Sequence, residues 1–144
     1  MFAAAIVAAA MVHLNGPTPA MQLAAVQRVA PFHVMVLPAG VQLLRAEIGR
    51  DAIGAADVRL EYSSAGTVLE VEERLPEQAD AAGAVNALAQ PFNVDGYTAM
   101  YQENGPAYRH VSSLAWYRND LTVTLTSRDG VNAPMLVDIA LELR

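Results

Sequence analysis

The chain has 144 residues and a formal net charge of −6, and all 9 of its basic residues are arginines. That length suits one domain with a single core, and an acidic chain without a basic run is poorly matched to nucleic-acid phosphates or to an anionic lipid surface. Cysteine is absent, which excludes disulfides, thiolate metal sites, cysteine nucleophiles and a lipid-modified cysteine, while fitting either the cytoplasm or a bacterial extracytoplasmic space.

Residues 2–14, FAAAIVAAAMVHL, are apolar except for His13. Thirteen helical residues reach about 20 Å, short of the roughly 30 Å hydrocarbon core of a bilayer. The length suits the apolar region of a secretory signal, with Thr18-Pro19-Ala20 or Ala8-Ala9-Ala10 as small-residue cleavage sites. No basic residue precedes the run, and a trailing piece of a membrane span or a buried Ala-rich helix are the other readings. The chain is therefore divided into an apolar N-terminal segment, 1–17, and a single α+β domain, 18–144.

Asn15-Gly16-Pro17 breaks the first segment, and Thr18 can cap a helix with Pro19 at its first position. Ala20, Leu23, Val26 and Ala30 recur at helical spacing, so a helix is expected from about 19 to 30, stopped before Pro31. From Phe32 the period becomes two. Short strands are expected at Phe32–Val36 and Val41–Ile48, the second with Leu44, Ala46 and Ile48 on one face. Val58, Leu60 and Tyr62 alternate with charged residues, and Leu69 and Val71 continue that apolar face after the Ser63–Gly66 turn. A two-residue loop at Ala65-Gly66 sets Glu61 against Glu70. A four-residue loop sets Arg59 against Glu70 instead and is the expected one, since opposite charges directly across a pair are worth about 0.2–1 kcal/mol.

Pro76 ends that strand, and 77–90 is read as a short helix or an excursion from the sheet. Pro91–Val94 leads into the Asp95-Gly96 turn, after which Tyr97, Ala99 and Tyr101 share a face. Asn104-Gly105-Pro106 turns the chain into 107–128, AYRHVSSLAWYRNDLTVTLTSR. This reads as a hairpin closed by Asn119-Asp120, residues that tolerate the positive φ of a type I′ turn. Arg118 then faces Leu121, Trp116 faces Val123 and Leu114 faces Leu125, with Trp116 as a core anchor under the last helix. Asn132 is expected to cap that helix, which carries Leu136, Val137, Ile139, Ala140 and Leu143. The fold class is α+β: an antiparallel sheet of about six to seven strands, curved, with N- and C-terminal helices packed on one face.

A search for chemistry finds no catalytic, cofactor or metal motif. His13, His33 and His110 have no partner at metal-ligand spacing. Glu70, Glu72, Glu73, Glu77 and Asp80 form the densest charge cluster and read as a solvated face, not a Ca²⁺ site. Tyr97, Tyr101 and Tyr108 are the candidate contacts for an apolar ligand or a peptide, because such pockets favour aromatics.

The order of these pieces resembles the family known as domain of unknown function 4367. The residues that carry it are PFHVMVLPAGVQLL, DVRLEY with GTVLEVEE, NVDGYTAMY, SSLAWYRNDLTVTLTS and MLVDIALEL, spread over 31–144. The resemblance implies an extracytoplasmic bacterial domain of the kind found in anti-sigma-factor-like and sporulation-associated proteins, with no catalytic motif. The expected function is a non-enzymatic sensing or protein-interaction module of the bacterial envelope. Its partner would be an envelope protein, a peptide or an apolar ligand, with membrane contact through residues 2–14 if at all. The alternative is a periplasmic carrier that encloses an apolar or lipid ligand between sheet and helices. A third class, a hydrolase, needs a histidine or carboxylate pair brought together only by the fold.

Overall fold

The structure is a computed structural model and describes residues 16–50, 55–75, 89–104, 111–129 and 131–144. Helix α1 spans Pro19–Val29. Thr18 caps it, its hydroxyl accepting the Met21 N–H at 3.3 Å, and Pro19 sits where a missing N–H costs nothing. Seven strands follow: β1 Gln42–Arg50, β2 Ala56–Ser64, β3 Thr67–Leu75, β4 Gln90–Val94, β5 Tyr97–Asn104, β6 Val111–Arg118 and β7 Leu121–Ser127. Helix α2, Ala133–Leu141, closes the chain, with the Asn132 side chain accepting the Met135 N–H at 3.1 Å.

The strands form one open antiparallel sheet in the order β1-β2-β3-β7-β6-β5-β4. It is two meanders joined where β3 pairs with β7, so the long-range β3–β7 ladder closes the core. Three hairpins turn on Ala65-Gly66, Asp95-Gly96 and Asn119-Asp120, and all six residues have positive φ. These are the paired left-handed conformations of type I′ turns, whose twist matches the strands they join. The last hairpin has the expected register, with Trp116 opposite Val123 and Leu114 opposite Leu125.

One face of the sheet is apolar and buried. Val58, Leu60, Tyr62, Leu69, Val71, Leu114, Trp116, Val123 and Leu125 join Val26 of α1 and Leu136 and Ala140 of α2 in a single cluster. The other face carries Arg59, Glu70, Glu72 and Thr124. Helix α1 lies against β1, and α2 lies against β4 and β6.

Three expectations are corrected. The β2–β3 loop has two residues, not four, so Glu61 does face Glu70. The like-charge contact is offset because Arg59 lies directly opposite Glu72, 3.7 Å away, and Arg128 reaches Glu70 at 3.6 Å. Second, Leu44 does not share the face of Ala46. A bulge between Leu43 and Arg45 inserts one residue, turning Leu44 out while Leu43 and Ala46 face the core. Third, Phe32–Val36 is no strand of the sheet. It is an extended strap that crosses the buried face, with Val34, Met35 and Leu37 buried. The expected features of 2–14, most of 77–90, and the turn at Gly105-Pro106 lie outside the described residues.

Candidate functional site

The strap is the least regular part of the described core, and its amides must find partners outside a ladder. Three successive ones do. Met35 N–H donates to both carboxylate oxygens of Glu73, at 3.3 and 3.2 Å. Val36 N–H donates to the Arg144 carbonyl at 2.8 Å, and Arg144 N–H returns a bond to the Val36 carbonyl at 3.1 Å. Leu37 N–H donates to the Tyr62 hydroxyl at 3.2 Å. Two side chains rising from the sheet and the last residue of the chain therefore hold the strap in place.

Beyond Leu37 the strap turns away at Pro38 and leaves an apolar groove between itself, α1 and β1. Pro19 and Leu23 form one wall, Val36 and Pro38 the other, with Leu43 at the side and Tyr62 at the base. The cavity volume is about 660 Å³ and the groove is partly open to solvent. The edge of β1 beside it is not bare: Gln22 of α1 accepts the Ala46 N–H at 3.1 Å.

Glu73 is the feature that the sequence reading placed wrongly. It belongs to the acidic cluster expected on the solvated face, yet its side chain is fully buried. The cause is strand parity. Glu70 and Glu72 point outward and meet arginines, whereas Glu73 follows Leu69 and Val71 onto the core face, between Val58 of β2 and Val123 of β7. Burial pushes its carboxyl up to about 7, against the Met35 N–H and the Arg118 charge, which both favour the ionised form. Burial also raises the Tyr62 hydroxyl, with the nearby Glu73 charge acting in the same direction.

Arg118 closes the far end of the strap. Its Nη1 donates to the Met35 sulfur at 3.6 Å, and its guanidinium carbon lies 5.7 Å from the Tyr97 ring centroid, within cation–π range. A small cavity of about 170 Å³ sits there, between Phe32, His33, Met35 and Arg118.

Tyr97 and Tyr101, the two candidate tyrosines among the described residues, do not line the groove. Tyr97 is half-buried beneath Arg118. Tyr101 is buried edge-on to Phe92, with ring centroids 6.1 Å apart, and donates to Glu103 at 2.7 Å. Burial and the Glu103 carboxylate push its hydroxyl up to about 12, so it stays protonated. Tyr108 lies outside the described residues, as do His13, His110, Glu77 and Asp80. His33 is exposed on the strap. Among the described residues no three acidic or histidine side chains converge as a metal site, and no helix is long and apolar enough to cross a membrane.

The groove residues were visible one by one as two apolar stretches, in α1 and in PFHVMVLPAGV. What brings them together is the strap leaving the sheet, which the sequence reading missed. A scan against family models returned no match, and comparisons with curated proteins and with solved structures returned none either.

Proposed function

We propose that the chain is a non-enzymatic interaction module of the bacterial envelope, acting outside the cytoplasm, which binds an apolar segment of a partner protein or peptide in the groove between α1 and the strap. The observation that supports this reading is the groove itself: an apolar channel at the surface, beside the packed core. Apolar clefts of roughly 300–1,000 Å³ with a few polar groups are the usual form of a binding site. The extracytoplasmic location and the kinship with anti-sigma-factor-like and sporulation-associated proteins come from the resemblance to domain of unknown function 4367. They are proposed with it.

A charge placed in the groove tests this. Leu23→Asp changes a side chain that is only partly buried, so the fold should survive. Binding of an apolar peptide, followed by titration calorimetry, should weaken at least tenfold, since a lone carboxylate in an apolar site costs more than about 1.4 kcal/mol. Unchanged affinity would place the interaction elsewhere.

The second reading is a carrier for an apolar or lipid ligand. The groove volume favours it, and the space lies between α1 and the β1 end of the sheet, but it is partly open to solvent where a carrier would enclose its ligand. Native mass spectrometry of protein purified from membranes separates the two. A co-purifying lipid supports the carrier, and its absence together with peptide affinity supports the interaction module.

A further inference from the structure

Glu73 is the one fully buried carboxylate among the described residues, and it is spent on a single backbone amide of an irregular segment. A buried charge of this kind is costly and is normally paired with a cation in direct contact. Here the strap amide is the direct hydrogen-bonding partner, and the strap is the cover that keeps water out. We propose that residues 32–37 are a pH-gated strap: ionisation of Glu73 favours lifting the strap from the sheet, and this opens the wall that it shares with the apolar groove.

The geometry supplies each part of the device. The strap belongs to no strand or helix, so it can leave without breaking a ladder. Its polar tethers are the Glu73 carboxylate, the Tyr62 hydroxyl, the Arg118 guanidinium on the Met35 sulfur and the pair of backbone bonds to Arg144, beside the packing of Val34, Met35 and Leu37. The 170 Å³ cavity beside Met35 and Arg118 gives room for a few waters against the strap as it moves. Val36, Leu37 and Pro38 continue directly into the groove wall, so any displacement at Met35 reaches it.

The groups that face Glu73 are few. From β6, the Arg118 charge favours the ionised form and its guanidinium touches Met35. From β2, the Tyr62 hydroxyl is close enough to feel the Glu73 charge, and Val58 lies directly opposite; β7 contributes Val123. On the strap, His33 is the other ionisable side chain, beside Arg118. The direction follows from linkage. In the closed form the carboxyl titrates near 7, and once hydrated it returns toward its ordinary value. Deprotonation therefore favours the open form as pH rises, and protonation favours the closed one.

The consequence for binding rests on the groove reading, but the strap motion does not, so the two are tested separately. Amide hydrogen exchange of the intact chain, corrected for intrinsic rates, is followed at Met35, Val36 and Leu37 beside Val71 and Leu125 in the central strands. The strap amides should be less protected than the strand amides, and their protection should fall roughly tenfold or more between pH 5.5 and pH 8. In Glu73→Gln that dependence should vanish while the strap amides stay protected. In the parent chain, the ¹³C shift of the Glu73 carboxyl should titrate with the same midpoint as the strap amides, which tests the proposal even if the variant does not fold. Strap protection equal to that of Val71, protection independent of pH, or a dependence retained in Glu73→Gln would each overturn it. A strap that opens in a chain whose groove takes no apolar peptide leaves the gate standing and removes only the groove reading.

Discussion

At the scale of single residues, two positions work against local preference. Ala65 holds φ 49 in the β2–β3 turn, where an L-residue with a Cβ and no side-chain hydrogen bond is strained by about 1–2 kcal/mol. The other two hairpins place Asp95, Asn119 and Asp120 at such angles, residues suited to them. Ala65→Asn should therefore raise the unfolding free energy by about 1 kcal/mol, read from the midpoint of a urea titration with an unchanged slope. Glu73 carries the larger penalty. Its carboxyl is raised from 4.5 to about 7 by burial, so the folded chain binds a proton that the unfolded chain has already lost. The stability associated with that proton is complete below pH 4.5 and is lost as pH climbs through 7. Between pH 5 and pH 8 the parent should lose roughly 2–3 kcal/mol relative to Glu73→Gln. Equal slopes of stability against pH for the two proteins would show that Glu73 is hydrated in the folded state.

At the scale of elements, the strap and the hairpins differ in where their instructions lie. Hairpin 111–127 was readable because alternation and turn residues agree: Leu114, Trp116, Val123 and Leu125 share a face, and a shift by one residue would bury threonines instead. The two capped helices were readable for similar local reasons, at Thr18-Pro19 and Asn132. The strap was not. FHVMVL has the composition of a strand, but its hydrogen-bond partners are Glu73, Tyr62 and Arg144, and no local pattern announces partners that distant. The bulge at Leu43–Arg45 was hidden for a related reason, since it exists only against β2. The short β2–β3 loop differs from the expected one because the Arg59–Glu70 pair of the longer loop was set against the Glu61–Glu70 contact alone. The same register brings Arg59 opposite Glu72. Glu73 itself was within reach, because the alternation that set Leu69 and Val71 inward also sets residue 73 inward. If the strap depends on side-chain tethers, Tyr62→Phe should cost about 1–3 kcal/mol. The ring still fills the core while the Leu37 amide loses its acceptor. The loss should appear in thermal unfolding, with Leu37 the amide whose protection falls most.

At the scale of the whole molecule, the sheet is a two-part wall joined at β3–β7, with its apolar face covered by α2 at one end and by α1 and the strap at the other. The two ends are not equivalent. Around α2 the described core is closed by packed side chains such as Leu136 and Leu143. At the other end, α1 buries only Val26 fully, and the space between it and the strap remains as the groove. That partly open end is where the proposed partner is expected to enter.

The most direct test of the groove is a two-dimensional NMR titration of the intact chain with a short apolar peptide. Saturable shifts are expected on the amides of Leu23, Val36, Leu37 and Leu43, absent in Leu23→Asp. Shifts confined instead to β5 and β6 around Tyr97 and Tyr101, or no saturable shift at all, would contradict the groove reading.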